Sequence, residues 1–417
     1  MFRVFMRNLV VSFGVAIPLL VAADAAESPA DSKSFVDASN QFAFDLYSKL
    51  PRKDDDNILF SPFSVWSALA MLNEGAKGAT AKEISTTLHL PTEAGSWKQS
   101  LSECSARLQR EDAKARVCVA NALWIQKGYP LNPGFDAVIR KSFGGQVESV
   151  DFGKADAAAK IVNAWASKQT DGKIPQVISA ADIDVLTRLI LANAIYFKGL
   201  WVSKFDPKAT HDADFRITKE RKVTVPFMRK TTAVYYAEDN QAQCVEIPYE
   251  GGELAMGIFL PRKDNLMEFE KSLDAKKLAA WRKRMDSHTV SLLMPRCHME
   301  TDYEMIPCLK DLGMPLAFTS PPLSPHADFS GISKAEELMV ARVIHKAVMD
   351  VDEGGTEAAA VTVILMEAGG APPKDYKPPP IPEFRADHPF LFWIVESKSG
   401  CILFMGRVQN PSSAEKK

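Results

Sequence analysis

Residues 352–373 carry conflicting secondary-structure signals, and this segment constrains the fold more than any other part of the sequence. Thr356 is an acceptable helix N-cap, and residues 357–360 favour a helix. Residues 361–364 are all β-branched, which is typical of a strand. Counted in steps of two from Thr356, the segment has one face of small or apolar side chains that could lie between two strands. The segment is therefore compatible with a position outside a sheet and with one inside it.

Two interpretations remain open when this segment is taken alone. The first is an Ala-rich surface helix followed by a Pro-rich loop. The second rests on sequence motifs: residues 353–360 (EGGTEAAA) closely resemble the hinge of the reactive loop of inhibitory serpins, and residues 345–347 (HKA) and 384–390 (FRADHPF) resemble the segments that flank this loop. The resemblance implies a reactive loop at about residues 353–383 that inserts into a β-sheet.

Residues 57–80 form a second motif that resembles the same family. Ser61 is a natural N-cap, and Pro62 stands at the first helical position, where its missing N–H is harmless. Residues 65–72 are apolar almost all round, which predicts a buried helix. Taken alone, the motif is a capped core helix with no function. The resemblance implies that Ser61 and Ser64 lie where the strands of the main sheet part.

Residues 189–201 (LILANAIYFKGLW) predict a strand that is apolar on both faces and therefore lies inside a sheet. Asn193 is the exception, because a buried amide needs hydrogen-bond partners. It could be a satisfied core residue without a function. The resemblance instead implies that Asn193 meets His345 and the two serines, and that Trp201 packs where the loop first enters the sheet. His345 fits a buried strand position better than the role of a catalytic base.

The resemblance covers residues 34–411 and implies a single serpin domain over residues 26–417. The expected fold is α+β, with three β-sheets, eight to nine helices and an exposed reactive loop. The sequence departs from the family at Cys297, where an aromatic residue is usual, and in the Pro-rich residues 320–325. These departures concern local packing.

Composition and motifs argue against several other functions. A net charge of −2 and a pI near 6.4 do not favour nucleic-acid binding. The predicted helix at residues 96–111 mixes acidic and basic side chains, so we interpret it as a solvated face and not as a polysaccharide site. The sequence contains no GxSxG, HExxH, GxxxxGK[ST] or GxGxxG motif, and its seven His residues lack metal-ligand spacing. We expect no enzyme activity, no cofactor and no metal.

The first 25 residues predict a secretory signal peptide. Arg3 and Arg7 form a basic start, residues 9–22 are apolar, and residues 23–25 (ADA) resemble a cleavage site. A membrane anchor is the alternative, but the apolar run falls short of the about 20 residues that span a bilayer. We therefore expect a secreted or periplasmic protein that is not bound to a membrane. The six cysteines allow fifteen full pairings, and buried free thiols fit the sequence at least as well as disulfides.

The resemblance implies that the chain inhibits serine proteases as a monomeric suicide substrate, with cysteine proteases as a second class of partner. The alternative is a non-inhibitory serpin that binds or stores another molecule. A bulky or charged inward residue, or Pro, in the hinge would prevent insertion. None is present at Gly355, Thr356 or residues 358–362. The full set of predicted hinge residues is Glu353, Gly355, Thr356, Glu357, Ala358, Ala359, Ala360 and Thr362.

The spacing between hinge and scissile bond in inhibitory relatives implies attack beside Ala368, Gly369 or Gly370. These small side chains suit a protease with a shallow specificity pocket, of the elastase or subtilisin kind. Lys374 would suit a trypsin-like protease, but it follows two prolines and lies later than this spacing allows.

Overall fold

The computed structural model describes residues 30–52, 56–91, 94–110, 114–262, 266–320, 323–334, 338–356 and 380–412. Within these ranges the chain forms nine α-helices: α1 (Ala30–Lys49), α2 (Pro62–Asn73), α3 (Gly78–Thr87), α4 (Ala94–Leu108), α5 (Pro133–Val138), α6 (Ala155–Gln169), α7 (Leu266–Ser272), α8 (Ala275–Arg284) and α9 (Ile306–Asp311). Short helical turns lie at Ile139–Phe143, Ala180–Asp182, Pro207–Ala209 and Leu316–Phe318.

The same ranges contain fifteen strands: β1 (Ile58–Phe60), β2 (Ala115–Gln126), β3 (Gln146–Val150), β4 (Leu189–Leu200), β5 (His211–Arg216), β6 (Lys222–Glu238), β7 (Ala242–Pro248), β8 (Leu254–Pro261), β9 (Asp286–Pro295), β10 (Cys297–Glu304), β11 (Arg342–Val351), β12 (Gly355–Thr356), β13 (Glu383–Arg385), β14 (Phe390–Glu396) and β15 (Ile402–Val408). The predicted signal peptide and residues 357–379 of the predicted reactive loop lie outside the described residues.

The main sheet has six strands in the order β10-β11-β12-β4-β2-β3. Its central contact is unusual, because β4 and β11 run parallel and pair directly over residues 190–196 and 342–348. Beyond Val348 the two strands separate, and the two-residue strand β12 lies between them, antiparallel to both. The main sheet therefore already holds the first residues of an added strand.

The remaining nine strands form one hydrogen-bonded network that divides at the long strand β6. The first part of β6 pairs with β5, its middle with β9, and only its last four residues with β7. One side of this division has the order β13-β9-β6-β5, and the other has β7-β8-β14-β15-β1. Together with the main sheet, these two units give the three expected sheets. The predicted α+β fold is confirmed.

Helices cover both faces of the main sheet. Helix α2 begins as predicted, because the Ser61 hydroxyl accepts the N–H of Ser64 at 3.1 Å and Pro62 opens the helix. Eleven of its twelve residues are buried beneath the sheet. On the opposite face, α6 packs small side chains such as Ala158 and Ala166 against the sheet. The central strands are thus enclosed, as the apolar sequence of β4 predicts.

The helix expected at residues 96–111 spans Ala94–Leu108 instead, so both of its ends are shifted by two to three residues. Helix α6 is followed by a turn with positive φ at Asp171 and Gly172, where glycine is favourable. No helix in the described part of the chain is both long and apolar enough to cross a membrane.

Candidate functional site

The candidate site is the line along which β4 and β11 meet and then separate. At the separated end, Thr356 pairs with Val351 of β11 and with Gly199 of β4. Gly355 pairs with Leu200 of β4. Of the predicted hinge residues, the structure places Glu353, Gly355 and Thr356 at this end. Glu357, Ala358, Ala359, Ala360 and Thr362 lie outside the described residues, as do Ala368, Gly369 and Gly370.

The turn that leads from β11 into β12 depends on one carboxylate and one glycine. Asp352 Oδ1 accepts the backbone N–H of Gly354 at 2.8 Å and that of Gly355 at 3.2 Å. Gly355 has a φ of +151°, and a Cβ at this position would lie 2.0 Å from the carbonyl oxygen of Gly199. Only glycine lets the returning chain approach β4 this closely. The EGGT motif therefore has a direct steric reason.

Thr356 is buried beside three aromatic side chains. We call this group of residues the hinge pocket: Phe197, Trp201, Tyr249, Gly355 and Thr356. Thr356 is fully buried, and its hydroxyl shares a 2.8 Å hydrogen bond with the phenol of Tyr249. Tyr249 stacks on Trp201 with ring centroids 4.5 Å apart, and Phe197 meets its edge at 4.9 Å. Burial raises the pKa of Tyr249, which keeps the phenol neutral.

Trp201 also holds the turn in place. Its indole N–H donates to the carbonyl of Asp352 at 3.0 Å, and its backbone N–H donates to the carbonyl of Gly354 at 2.9 Å. Trp201 thus lies against the turn that leads from β11 into β12. The indole serves both as packing surface and as hydrogen-bond donor.

Glu353 anchors the outer side of the turn. Its carboxylate accepts hydrogen bonds from the guanidinium of Arg296, with a shortest N–O distance of 2.7 Å, and from the hydroxyl of Thr210. Burial alone would raise the pKa of Glu353, but the bonds from Arg296 and Thr210 outweigh it and hold the pKa below its ordinary value. Its backbone carbonyl accepts the N–H of Phe205 at 2.8 Å.

A chain of buried polar side chains crosses the centre of the β4–β11 contact. We call it the seam network: Ser61, Ser64, Ser67, Asn121, Asn193 and His345. Ser61 donates its backbone N–H to Nε2 of His345 at 3.0 Å, so Nε2 is unprotonated. The proton of the neutral ring is then on Nδ1, which donates to Oδ1 of Asn193. Burial lowers the pKa of His345 to about 3, so the ring is neutral at physiological pH.

Asn193 distributes the network to the neighbouring elements. Its amide NH₂ donates to the hydroxyl of Ser64 and to Oδ1 of Asn121. Asn121 in turn donates to the hydroxyl of Ser67 at 2.9 Å. Sequence reasoning missed Asn121 and Ser67. Two signals were available: an amide inside an apolar strand, and serines at helical spacing of three on an otherwise apolar helix.

Strand register explains why these side chains meet. His345, Asn193 and Asn121 occupy directly opposed positions on β11, β4 and β2. All three side chains face α2, whose serines follow one another along a single face. The seam network therefore bonds β4 to β11 at the middle of their seven paired positions. A strand that entered between β4 and β11 would have to break it.

The described residues contain no group of three or more His, Cys, Asp or Glu side chains that could hold a metal ion. The polar groups between β4 and β11 are hydrogen-bond donors and acceptors buried away from solvent. Their arrangement suits a change of conformation. Such groups are stable only while their partners stay in place.

Comparison with known families identifies this architecture. Residues 37–411 match the sequence model of the family described as serpin, serine protease inhibitor. The chain belongs to the serpin family.

Individual relatives agree with this assignment along nearly the whole chain. A serpin-like protein of the archaeon Thermococcus kodakarensis is 38% identical over 91% of this chain and 86% of its own length. Bovine leukocyte elastase inhibitor is 39% identical over 90% of this chain and 98% of its own. Among solved structures, human thyroxine-binding globulin in complex with thyroxine superposes with a TM-score of 0.81 at 29% identity, covering 92% of this chain and 100% of that one.

Proposed function

We propose that this serpin is an exported suicide-substrate inhibitor of serine proteases. One observation carries the proposal: Gly355 and Thr356 are already paired with the two strands between which the rest of the reactive loop would insert. A loop whose first residues lie inside the sheet can continue along the same line. In this mechanism the protease serine attacks the loop and forms an acyl-enzyme. Insertion of the cut loop then carries the attached protease away from its hydrolytic geometry.

The sheet geometry gives insertion a driving force. The direct contact between β4 and β11 is parallel, which is the less stable pairing per residue. An inserted strand would continue β12 and be antiparallel to both neighbours, so one contact would be replaced by two. An added set of roughly ten ladder bonds, at about 0.5 to 1.5 kcal/mol each, is comparable to the total stability of a domain, about 5 to 15 kcal/mol.

The hinge sequence is suited to this movement. Thr356 is the first inward-facing residue of the segment, and it is fully buried in the hinge pocket. Alternation along a strand places Ala358, Ala360 and Thr362 on the same face as Thr356. These side chains are small enough to follow Thr356 into a space bounded by α2 and α6.

We propose a protease of the elastase or subtilisin kind as the target. Ala368, Gly369 and Gly370 offer small side chains at the expected scissile position. The relative named leukocyte elastase inhibitor supports the same choice. The predicted signal peptide would bring the inhibitor to the periplasm or the medium, where it would meet such a protease as a monomer.

A non-inhibitory binding role is the second candidate. The observation that favours it is the likeness to thyroxine-binding globulin, a serpin whose solved complex holds a small molecule. The two candidates differ in the fate of a cleaved loop. A binding protein has no need of insertion, whereas an inhibitor that does not insert becomes an ordinary substrate.

Titration of the protein against pancreatic elastase, subtilisin and trypsin tests the proposal. We expect an SDS-stable complex with elastase or subtilisin at a ratio near one to one. Thr356→Arg would bring a guanidinium into the dry hinge pocket, at a cost of several kcal/mol. This variant should be cleaved without trapping the protease.

The matched control is Glu357→Arg, which adds the same group one residue further on, where strand alternation turns it toward the outside. It should still form the complex. Cleavage of the parent without any stable complex, or equal trapping by the Thr356→Arg variant, would refute inhibition by insertion.

A further inference from the structure

Two of the six cysteines lie against each other, whereas the other four have different neighbours. All six thiols are free and buried in the structure. Cys244 faces the sulfur of Met285 at 3.9 Å, and Cys308 donates to the carbonyl of Lys49 at 3.3 Å. Cys118 and Cys297 lie in strands opposite residues that are not cysteines. The remaining thiols, Cys104 of α4 and Cys401 before β15, are in hydrogen-bond contact.

The backbone around this pair is fixed from two sides. Arg107, one turn after Cys104 on the same face of α4, bonds to the carboxylate of Glu396 at 3.3 Å. Glu396 donates its backbone N–H to the carbonyl of Cys401 at 3.0 Å. The end of α4 therefore lies along the turn between β14 and β15, with Arg107 opposite Glu396 and Cys104 opposite Cys401.

Helix α1 holds the other side of this turn. The amide of Asn40 donates to the carbonyl of Gly400 at 2.9 Å and accepts the N–H of Ile402 at 2.9 Å. These two bonds bracket Cys401 and hold the backbone of the turn against α1. Cys104 is 2% exposed and Cys401 is fully buried. The pair is thus pre-oriented in a dry contact between three elements.

We propose that Cys104 and Cys401 form a disulfide bond when the chain folds in an oxidising environment. The oxidant is a small-molecule or protein disulfide. One cysteine thiolate attacks this disulfide and releases one thiol, and the second cysteine then displaces the other thiol from the mixed disulfide. Two protein thiols and one disulfide are consumed, and one protein disulfide and two thiols are formed.

The bond forms during folding and not afterwards. The hydrogen bond with Cys104 and burial raise the pKa of the Cys401 thiol well above its ordinary value, so the folded protein holds little thiolate. A disulfide reagent also cannot reach a pair that three elements enclose. Oxidation of the folded, reduced protein should therefore be slow compared with oxidation during refolding.

The link has a consequence that does not depend on inhibition. Residues 104 and 401 lie on opposite sides of the reactive loop in the sequence. Cleavage anywhere within residues 357–379 leaves Cys104 in the large fragment and Cys401 in the small C-terminal one. The disulfide would therefore keep the two fragments covalently joined after any protease has cut the loop.

The test is to refold the reduced, denatured protein in a mixture of reduced and oxidised glutathione and to map its peptides by mass spectrometry without reductant. We expect a mass lower by two hydrogens and one linked pair of peptides that contain Cys104 and Cys401. Cys104→Ser should lose this product, and Cys118→Ser, the matched control, should keep it. Folded, reduced protein treated with the same mixture should oxidise much more slowly.

A second measurement uses the cleaved protein. After cleavage within residues 357–379, the two fragments of refolded protein should migrate together on a denaturing gel without reductant and separate with it. Six free thiols after refolding, or a linked pair other than Cys104 and Cys401, would overturn the proposal. The parent map decides the matter even if a serine variant does not fold.

Discussion

The hinge pocket and the seam network are two polar contacts on the same line, and they respond to an entering strand in opposite ways. In the hinge pocket, Trp201 and Tyr249 bond to a segment that already lies between β4 and β11. In the seam network, His345 bonds directly to Asn193 across the same two strands. The proposed insertion would keep the first set of contacts and break the second.

The difference between these two contacts lies in what holds β4 and β11 together. Apolar packing is non-directional and would be regained around an inserted strand. The hydrogen bonds of the seam network are directional, and they are satisfied only when β4 and β11 are adjacent. The barrier against the proposed insertion would therefore lie in a few buried amide, imidazole and hydroxyl groups. The hinge pocket would only determine where insertion begins.

The largest expected effect comes from cutting the reactive loop. Cleavage within residues 357–379 should allow the loop to continue β12 and should raise the melting temperature by tens of degrees, because each added kcal/mol moves it by a few degrees. Differential scanning calorimetry of intact and cleaved protein measures this shift. The cleaved Thr356→Arg variant, in which entry is blocked, serves as the control and should not gain stability.

An unchanged melting temperature in the cleaved parent would contradict this prediction. The closed sheet, with its seam network and its direct β4–β11 pairing, would then be as stable as a sheet with an inserted strand. The hinge pocket would have no role in insertion.

The second prediction breaks the seam network at its branch point. Asn193→Ala removes the acceptor of the His345 Nδ1–H and leaves Oδ1 of Asn121 without this donor. Unsatisfied buried groups should lower the free energy of unfolding by about 2 to 4 kcal/mol. We also expect faster loss of inhibitory activity on storage, because the closed sheet is weakened. Chemical denaturation and residual stoichiometry measure the two effects.

Ser67→Ala is the graded control. Ser67 stands at the far end of the seam network and only accepts from Asn121. Its removal should lower stability by about 1 kcal/mol and leave the bond between β4 and β11 intact. An equal loss in both variants would show that the network has no special position at the line of opening.

Some of these contacts could be predicted from the sequence, and others could not. The cap at Ser61, the internal strand at residues 189–201 and the overall fold follow from local patterns and from family motifs. Asn121 was missed because the register of β2 against β4 is a long-range property. The bond between Glu353 and Arg296 was missed for the same reason, since the two residues meet only where β10 and β11 lie side by side.

The third prediction concerns acid. The pKa of His345 is about 3 in the folded state and about 6.5 in the unfolded chain, so the unfolded state binds the proton first as the pH falls. The stability due to the neutral ring is complete above pH 6.5 and is lost progressively from there to pH 3. Between pH 7.5 and 5 the loss should be about 2 kcal/mol.

The measurement is denaturant unfolding at both pH values for the parent and for His345→Gln. The Gln amide has a donor and an acceptor for the two hydrogen bonds of the imidazole, but it does not titrate. Taking the difference between the two proteins removes other titrating groups. One of these groups is His298, whose pKa is raised by its hydrogen bond to Asp350. Its contribution to stability is therefore lost as the pH rises, opposite to that of His345. Parallel pH dependences in the two proteins would exclude the seam network as the acid-sensitive element.

The smallest effect is expected at the outer side of the hinge. Arg296→Ala removes one partner of Glu353, but the carboxylate keeps the hydroxyl of Thr210 and the turn keeps both bonds from Trp201. The guanidinium is also half exposed, so water can replace part of its interaction. We expect a loss of about 1 kcal/mol in unfolding free energy. Arg296→Lys, which keeps the charge, should recover part of this loss.

The folded pKa of Glu353 lies below its unfolded value. The stability from the Arg296–Glu353 contact is therefore present above the unfolded pKa and is lost as the pH falls through the folded pKa. A loss as large as that of Asn193→Ala would reverse the comparison and make the hinge, rather than the seam network, the element that holds the sheet closed.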